Sequence, residues 1–180
     1  MISVVSSLGG HTGYLVVAIG THALVGYTLG AALFDEPRAG LVGGVVADID
    51  FLFPATWGQP FVHRGITHTA VAGGIVVAVA LLLNRQTAGG VGVGYVSQLL
   101  IDATTPKGIP LVYPISTESI FVPLYGHSPV ATIIFWMACL AVLWRHRKVR
   151  RTDGTTDSRY RASLTEAVRW VIRRTGGFFS

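Results

Sequence analysis

Five times between Tyr14 and Trp144 the chain returns to a run of mostly apolar residues. The runs extend from about Tyr14 to Leu33, through "AGLVGGVVADIDFLFP" to Pro54, from Ile66 to Leu83, from Gly89 to Ala103, and through "PVATIIFWMACLAVLW" from Pro129 to Trp144. A helix that crosses a bilayer needs about 20 apolar residues, with a lower limit near 17. Runs one, three and five meet or approach that length. Runs two and four are shorter and carry acids near their ends, so we expect helices that stop inside a bundle. Only 13 % of the residues are charged, about half the share in an ordinary soluble domain. The expected fold is all-α: a polytopic membrane helix bundle of about five apolar helices, ending in a short C-terminal amphipathic helix.

Charge gives this bundle an orientation. Of the 14 Lys and Arg, all but Arg38, Arg64, Arg85 and Lys107 lie between Arg145 and Arg174. If the runs alternate in direction, Arg38, Arg85 and "RHRKVRR" share one side, which the positive-inside rule makes cytoplasmic. Residues 1–148 then form the membrane-embedded domain. Residues 149–180 form a basic cytoplasmic tail, with "TDGTTDS" as linker and "SLTEAVRWVIRR" as an amphipathic helix on the membrane surface. Ser163 and Glu166 are spaced as a capping box at its start. The tail contains no recognisable nucleic-acid reader, so its expected partner is membrane lipid and not nucleic acid.

Other features exclude chemistry. The single cysteine, Cys139, allows neither an internal disulfide nor a cysteine-based zinc site. The N-terminal "MISVVSSLGG" lacks the basic start of a signal peptide, so no cleavage is expected. The glycines of "LVGG", "AVAGGIV" and "GGVGVGY" match no nucleotide-loop spacing and read as close helix packing in lipid.

Ionisable groups inside apolar segments are costly, which points to function. Before Trp144 they are few, and the alternation places them at one end of the bundle. His22 falls in the outer half of run one, Asp48 and Asp50 near the outer end of run two, and Asp102 near that of run four. His63, Arg64 and His68 lie in "HRGITH", at the entry to run three. Imidazoles and carboxylates together suit zinc, manganese or a similar divalent ion, and two such ions would suit phosphoester hydrolysis. Each residue has a plainer role open to it. His22 alone would fit a core histidine. Asp48 and Asp50 point apart on an ideal helix, and only an unwound end near Pro54 lets both face inward. Gln98 and Asp102 are spaced for a mutual hydrogen bond, Thr67 for the N-cap of run three, and Gly65 for a tight turn. His68, at a helix start, is favoured as neutral imidazole. Taken together, the plain roles would leave several charges buried without partners at one depth.

Four blocks, "THALVGY", "GGVVADIDF", "VHRGITHT" and "GYVSQLLIDATTPKGIPLVYP", resemble in order and spacing the YdjM-like family of membrane-bound metal-dependent hydrolases. The resemblance covers about residues 20 to 115. It implies a helical membrane protein with a metal site, and by position His22, Asp50, His63, His68 and Asp102 match the family's polar residues. Two departures stand out. Ala47-Asp48-Ile49-Asp50-Phe51 replaces the frequent Pro-Asp-Ile-Asp-His, and Gln98 replaces the usual histidine of an HxxxD pair like that of zinc-dependent phospholipases C. His127 in "YGHSP" is a candidate to substitute for the missing ligand.

The expected metal set is therefore His22, Asp50, His63, His68 and Asp102, with Asp48, Gln98 and His127 as further candidates. The catalytic candidates are Asp48 as base and Arg64 as stabiliser of an anion. The expected activity is hydrolysis of a phosphoester or another lipid-borne ester by a protein integral to the cell or inner membrane. Two alternatives compete with it. One is a non-catalytic membrane protein with a structural metal or polar network. The other is a metal or proton carrier, which the lack of ionisable residues in the cytoplasmic halves of the runs disfavours.

Overall fold

The computed structural model describes residues 10–175, and all of the regular structure there is helical apart from one isolated bridge between Ile109 and Ile120. Helix α1 spans Gly10–Phe34, α2 Pro37–Val45, α3 Ala70–Leu81, α4 Arg85–Ala103 and α5 Pro129–Thr175. Tighter 3-10 segments occupy Val46–Leu52, Ala55–Trp57 and Ile66–His68. Helices satisfy their own backbone hydrogen bonds, which suits a chain whose surroundings cannot.

Among the described residues, two stretches are long and apolar enough to cross a membrane: Gly13–Phe34 in α1 and Pro129–Thr152 in α5. The lengths of runs three and four are the reverse of those expected. Helix α3 has 12 residues, about 18 Å, well short of the roughly 30 Å hydrocarbon core. Helix α4 has 19 residues. The caps explain both. Thr69, not Thr67, caps α3 by accepting from the Ala72 amide at 3.0 Å, because Ile66–His68 first makes a separate turn. Asn84 caps α4 by accepting from the Thr87 amide at 2.8 Å, so that helix starts four residues before Gly89.

Glycine holds α1, α2 and α4 together. A Cβ added at Gly26 or Gly30 would strike the α2 backbone at Gly40. One at Gly43 would strike Val91, and one at Gly94 would strike Gly40 and Gly44. One at Gly44 would strike the His22 carbonyl. The helices thus meet backbone to backbone, as the glycine-rich runs suggested. This seam sets His22, on α1, level with the chain that leaves α2 toward Asp48.

Polarity is inverted relative to a soluble protein. Val16, Leu33, Ile75, Val79, Leu82, Ile133 and Met137 are exposed, whereas His22, Asp50, His68, Gln98 and Asp102 are buried. Cys139 is buried, as expected of a small apolar residue.

The chain divides into two compact units, Met1–Leu143 and Trp144–Ser180. Within the second, the backbone of residues 152–158 is helical as part of α5, where the sequence suggested a linker. The ammonium of Lys148 lies 5.4 Å from the Trp144 ring centroid. The side chains of Ser163 and of the expected amphipathic face, and the N-terminal residues 1–9, lie outside what is described.

Candidate metal centre

The site assembles where α2 gives way to a 3-10 segment. Over Val46–Leu52 the tighter winding brings both Asp48 and Asp50 onto His68, as the unwound end near Pro54 was expected to do. The connection to α3 then folds back through Arg64, which adopts a left-handed conformation at φ 59°. Gly65 itself has an ordinary negative φ. It must be glycine for space, because a Cβ there would strike the Pro60 and Val62 carbonyl oxygens.

Asp50 organises one side of the site. Its Oδ1 lies 3.0 Å from His63 Nδ1. Its Oδ2 accepts from the Arg64 amide at 2.8 Å and the Thr67 hydroxyl at 2.9 Å, and lies 3.2 Å from His68 Nδ1. Burial alone would raise the Asp50 carboxyl. The bonds from His63, His68 and the Arg64 amide outweigh it and hold the group well below the usual carboxylate range. One carboxylate thus grips two imidazoles by the same ring nitrogen and leaves both Nε2 atoms free to face elsewhere.

His68 is fully buried, with its Nε2 3.2 Å from Asp102 Oδ2 and 3.6 Å from Asp48 Oδ1. Burial lowers its basicity, but Asp102, Asp48 and Asp50 more than offset that and push it up to about 10. The preference for neutral imidazole at a helix start is therefore overruled by three carboxylates. This arrangement calls for positive charge. Moreover, His68 Nε2 and Asp102 Oδ2, 3.2 Å apart, are both buried without a hydrogen bond, and so is Asp48 Oδ2. Buried polar atoms left without hydrogen bonds suit the ligands of a cation.

Asp102 links this group to a second one. Its Oδ1 lies 2.6 Å from Arg64 Nη2, 3.4 Å from His22 Nε2 and 3.7 Å from His127 Nε2. The two Nε2 atoms of His22 and His127 are 3.2 Å apart. Burial, and then the neighbouring His22, lower the His127 imidazole to about 4, which suits it to bind as neutral imidazole. Among the described residues, two sets could each hold a metal ion: Asp48, His63 and His68, and His22, Asp102 and His127. Within each set the ligand atoms lie within 4.8 Å of one another. Five of the six residues line a single cavity of about 30 Å³, with His68 behind it. That is room for about one or two water-sized groups.

All the candidate ligands but Gln98 therefore converge in the described structure. Gln98 is fully buried on α4, yet neither amide atom has a hydrogen-bond partner, so the expected Gln98–Asp102 bond is not made. Arg64, expected to stabilise an anion, is here paired with an acid of the site itself. Its fork engages Asp102 and the Thr105 hydroxyl. Thr67 is no cap but lies between Asp50 and His68 Nδ1, and its carbonyl accepts from the Tyr95 hydroxyl. Sequence reasoning missed Tyr14, Thr105 and Lys107. Tyr14 Oη lies 3.4 Å from His127 Nδ1, and Lys107 Nζ donates to the His63 carbonyl at 2.9 Å. Only Thr105 had a usable signal, three residues after Asp102, and just past the end of α4 its hydroxyl donates to the Asp102 carbonyl at 2.8 Å.

Comparison with known proteins gives the chain a membrane family. Residues 17–167 match the family described as YdjM inner membrane protein. Inner membrane protein YbcI of Escherichia coli (strain K12) is 27 % identical over a match of 168 residues; the match covers 71 % of this chain and 97 % of that protein. No solved structure matches. By the extent of the first match, the chain belongs to the YdjM family of inner membrane proteins.

Proposed function

We propose that the protein is a membrane-embedded, metal-dependent hydrolase of phosphoesters or related esters. The observation that carries this reading is the meeting of two His/Asp sets on one small cavity, with Asp102 between them. In this reading Asp48, His63 and His68 would hold one divalent ion, and His22, Asp102 and His127 a second. Asp102, whose oxygens lie near His68 on one side and His127 on the other, would stand between the two. The set of imidazole nitrogens and carboxylate oxygens suits zinc or manganese. Such ions supply Lewis acidity and make a coordinated water acidic enough to serve as nucleophile near neutral pH.

The chain's own groups supply the rest. Asp50, saturated with hydrogen bonds, fixes the orientation of His63 and His68 and is no ligand itself. The unpartnered Asp48 Oδ2 is the oxygen available to take the proton of the attacking water. Arg64 keeps Asp102 ionised and in place while lining the cavity. The net reaction adds water across the ester to give an acid and an alcohol.

A purely structural metal would be closed off by protein. His63 is 28 % exposed, which favours a site open to substrate. We place the C-terminus in the cytoplasm, on the positive-inside argument alone. The test uses full-length protein in detergent, assayed for bound metal and for hydrolysis of a chromogenic phosphodiester. Bound zinc or manganese and activity should disappear together in His68→Ala. Undiminished activity in the metal-free His68→Ala protein would overturn the reading.

A further inference from the structure

A cavity of about 30 Å³ admits the reacting atoms of a substrate and little else. The remainder of any substrate must lie in a neighbouring space. The space that adjoins it on the α1–α2 side is an open groove of about 670 Å³, well within the usual range for ligand sites. Leu15, Ile19, Asp48 and Phe51 line both the cavity and the groove. Beyond them the groove is walled by Val42, Val45, Val46, Ile49 and Leu52. Asp48 is its one charged residue, and it stands at the junction with the metal ligands.

We propose that this groove is a lateral entry for a membrane lipid. One acyl chain lies along Val42, Ile49 and Leu52, and the ester or phosphate end reaches the ions past Asp48. The proposal rests on the hydrolase reading above and adds the substrate class to it. Three observations select a lipid. The groove is apolar along its length and polar only where it meets the candidate metal site, which is the polarity of an amphiphile. Val42, Ile49 and Leu52 stay exposed, so the groove opens outward, and for a protein of an inner-membrane family apolar surroundings mean acyl chains. The cavity carries two sets that could bind divalent cations, which suits an anionic head.

The experiment uses the full chain in nanodiscs with its metal bound. The probe is a phosphatidylglycerol with a photoactivatable diazirine in mid-chain. Labelling should concentrate on Leu15, Ile19, Val42 and Ile49 and be sparse on Val71, Ile75 and Val79, which are exposed on α3. Val42→Trp, and independently Ile49→Trp, should fill the groove and cut that labelling at least about tenfold, the loss of about two buried methylenes. Either variant should also lower the ratio of kcat/KM for long-chain over short-chain esters, with metal content unchanged. Even labelling of groove and α3, labelling insensitive to both tryptophans, or protein–protein crosslinks at Val42 would each overturn the proposal. Groove labelling without hydrolysis of any ester would leave the lipid site standing and remove the hydrolase. Hydrolysis without groove labelling would do the reverse.

Discussion

The two ligand sets differ in how firmly they are held. Around Asp48, His63 and His68, the Asp50 carboxylate fixes both imidazoles at Nδ1, and Thr67 adds a hydroxyl. Around His22, Asp102 and His127 there is no such clamp. His22 Nδ1 has no partner, His127 Nδ1 has only a 3.4 Å contact with Tyr14, and Gln98 beneath Asp102 bonds to nothing. Outer partners of this kind fix the tautomer and orientation of a ligating histidine, and losing one typically costs about 10–100-fold in metal affinity. The first set should therefore bind tightly. The second should bind weakly and exchange its ion.

Asp102 is shared, so its loss should erase the difference between the sets. Asp102→Asn keeps the shape and a partner for Arg64 but removes the charge. Metal content measured on purified protein should fall to near zero at both sites, the largest effect expected. Asp50→Asn instead tests the clamp. It should weaken the tight ion by about 10–100-fold in a chelator competition and leave the weak one unchanged, narrowing the gap. Equal weakening of both ions would show that the asymmetry in hydrogen bonding does not control affinity.

Much of this centre was legible in the sequence because charge inside an apolar chain has few places to go. The alternation of runs put His22, Asp48, Asp50, His68 and Asp102 at one end, and there they meet. The sorting of roles was not legible. Whether Asp48 or Asp50 faces the imidazoles' Nε2 depends on a 3-10 winding that no residue spacing announces. Thr67 and Thr69 are equally good caps by type, and only the extra turn at Ile66–His68 decides between them. Tyr14 and His127 are 113 residues apart and meet only through tertiary folding. The lengths of α3 and α4 were misjudged because apolarity marks what lipid touches. Helix α4 is glycine-rich and packed against α2, so its apolar run understates its helical length.

Gln98 offers a way to sharpen the comparison from the weak side. It lies one helical turn before Asp102, where the resemblance led us to expect histidine, and its buried amide has no partner. Gln98→His adds an imidazole on the face of α4 that carries Asp102. The weak ion should then bind about tenfold more tightly, the lower end of what ligand support is worth. The tight ion should not change. The readout is the second, lower-affinity phase of a calorimetric metal titration. Failure to move that phase would mean the amide stands too deep for the site, and that the second set is complete without it.

The smallest effect should come from Tyr14→Phe. Its hydroxyl is the only partner of His127 Nδ1 among the described groups, but the 3.4 Å contact is long and the residue is 37 % exposed, so water can replace it. A neutral hydrogen bond that water can replace contributes at most about 1 kcal/mol, or roughly fivefold in affinity. We expect less than that on the weak ion and nothing on the tight one, by the same titration. The value of this variant lies in its ranking against Asp50→Asn. If removing one long contact to His127 weakens metal as much as removing the charge of Asp50, then the second set is as firmly positioned as the first. Its order would then come from the glycine-packed α1 carrying His22 and not from hydrogen bonds to the ligands.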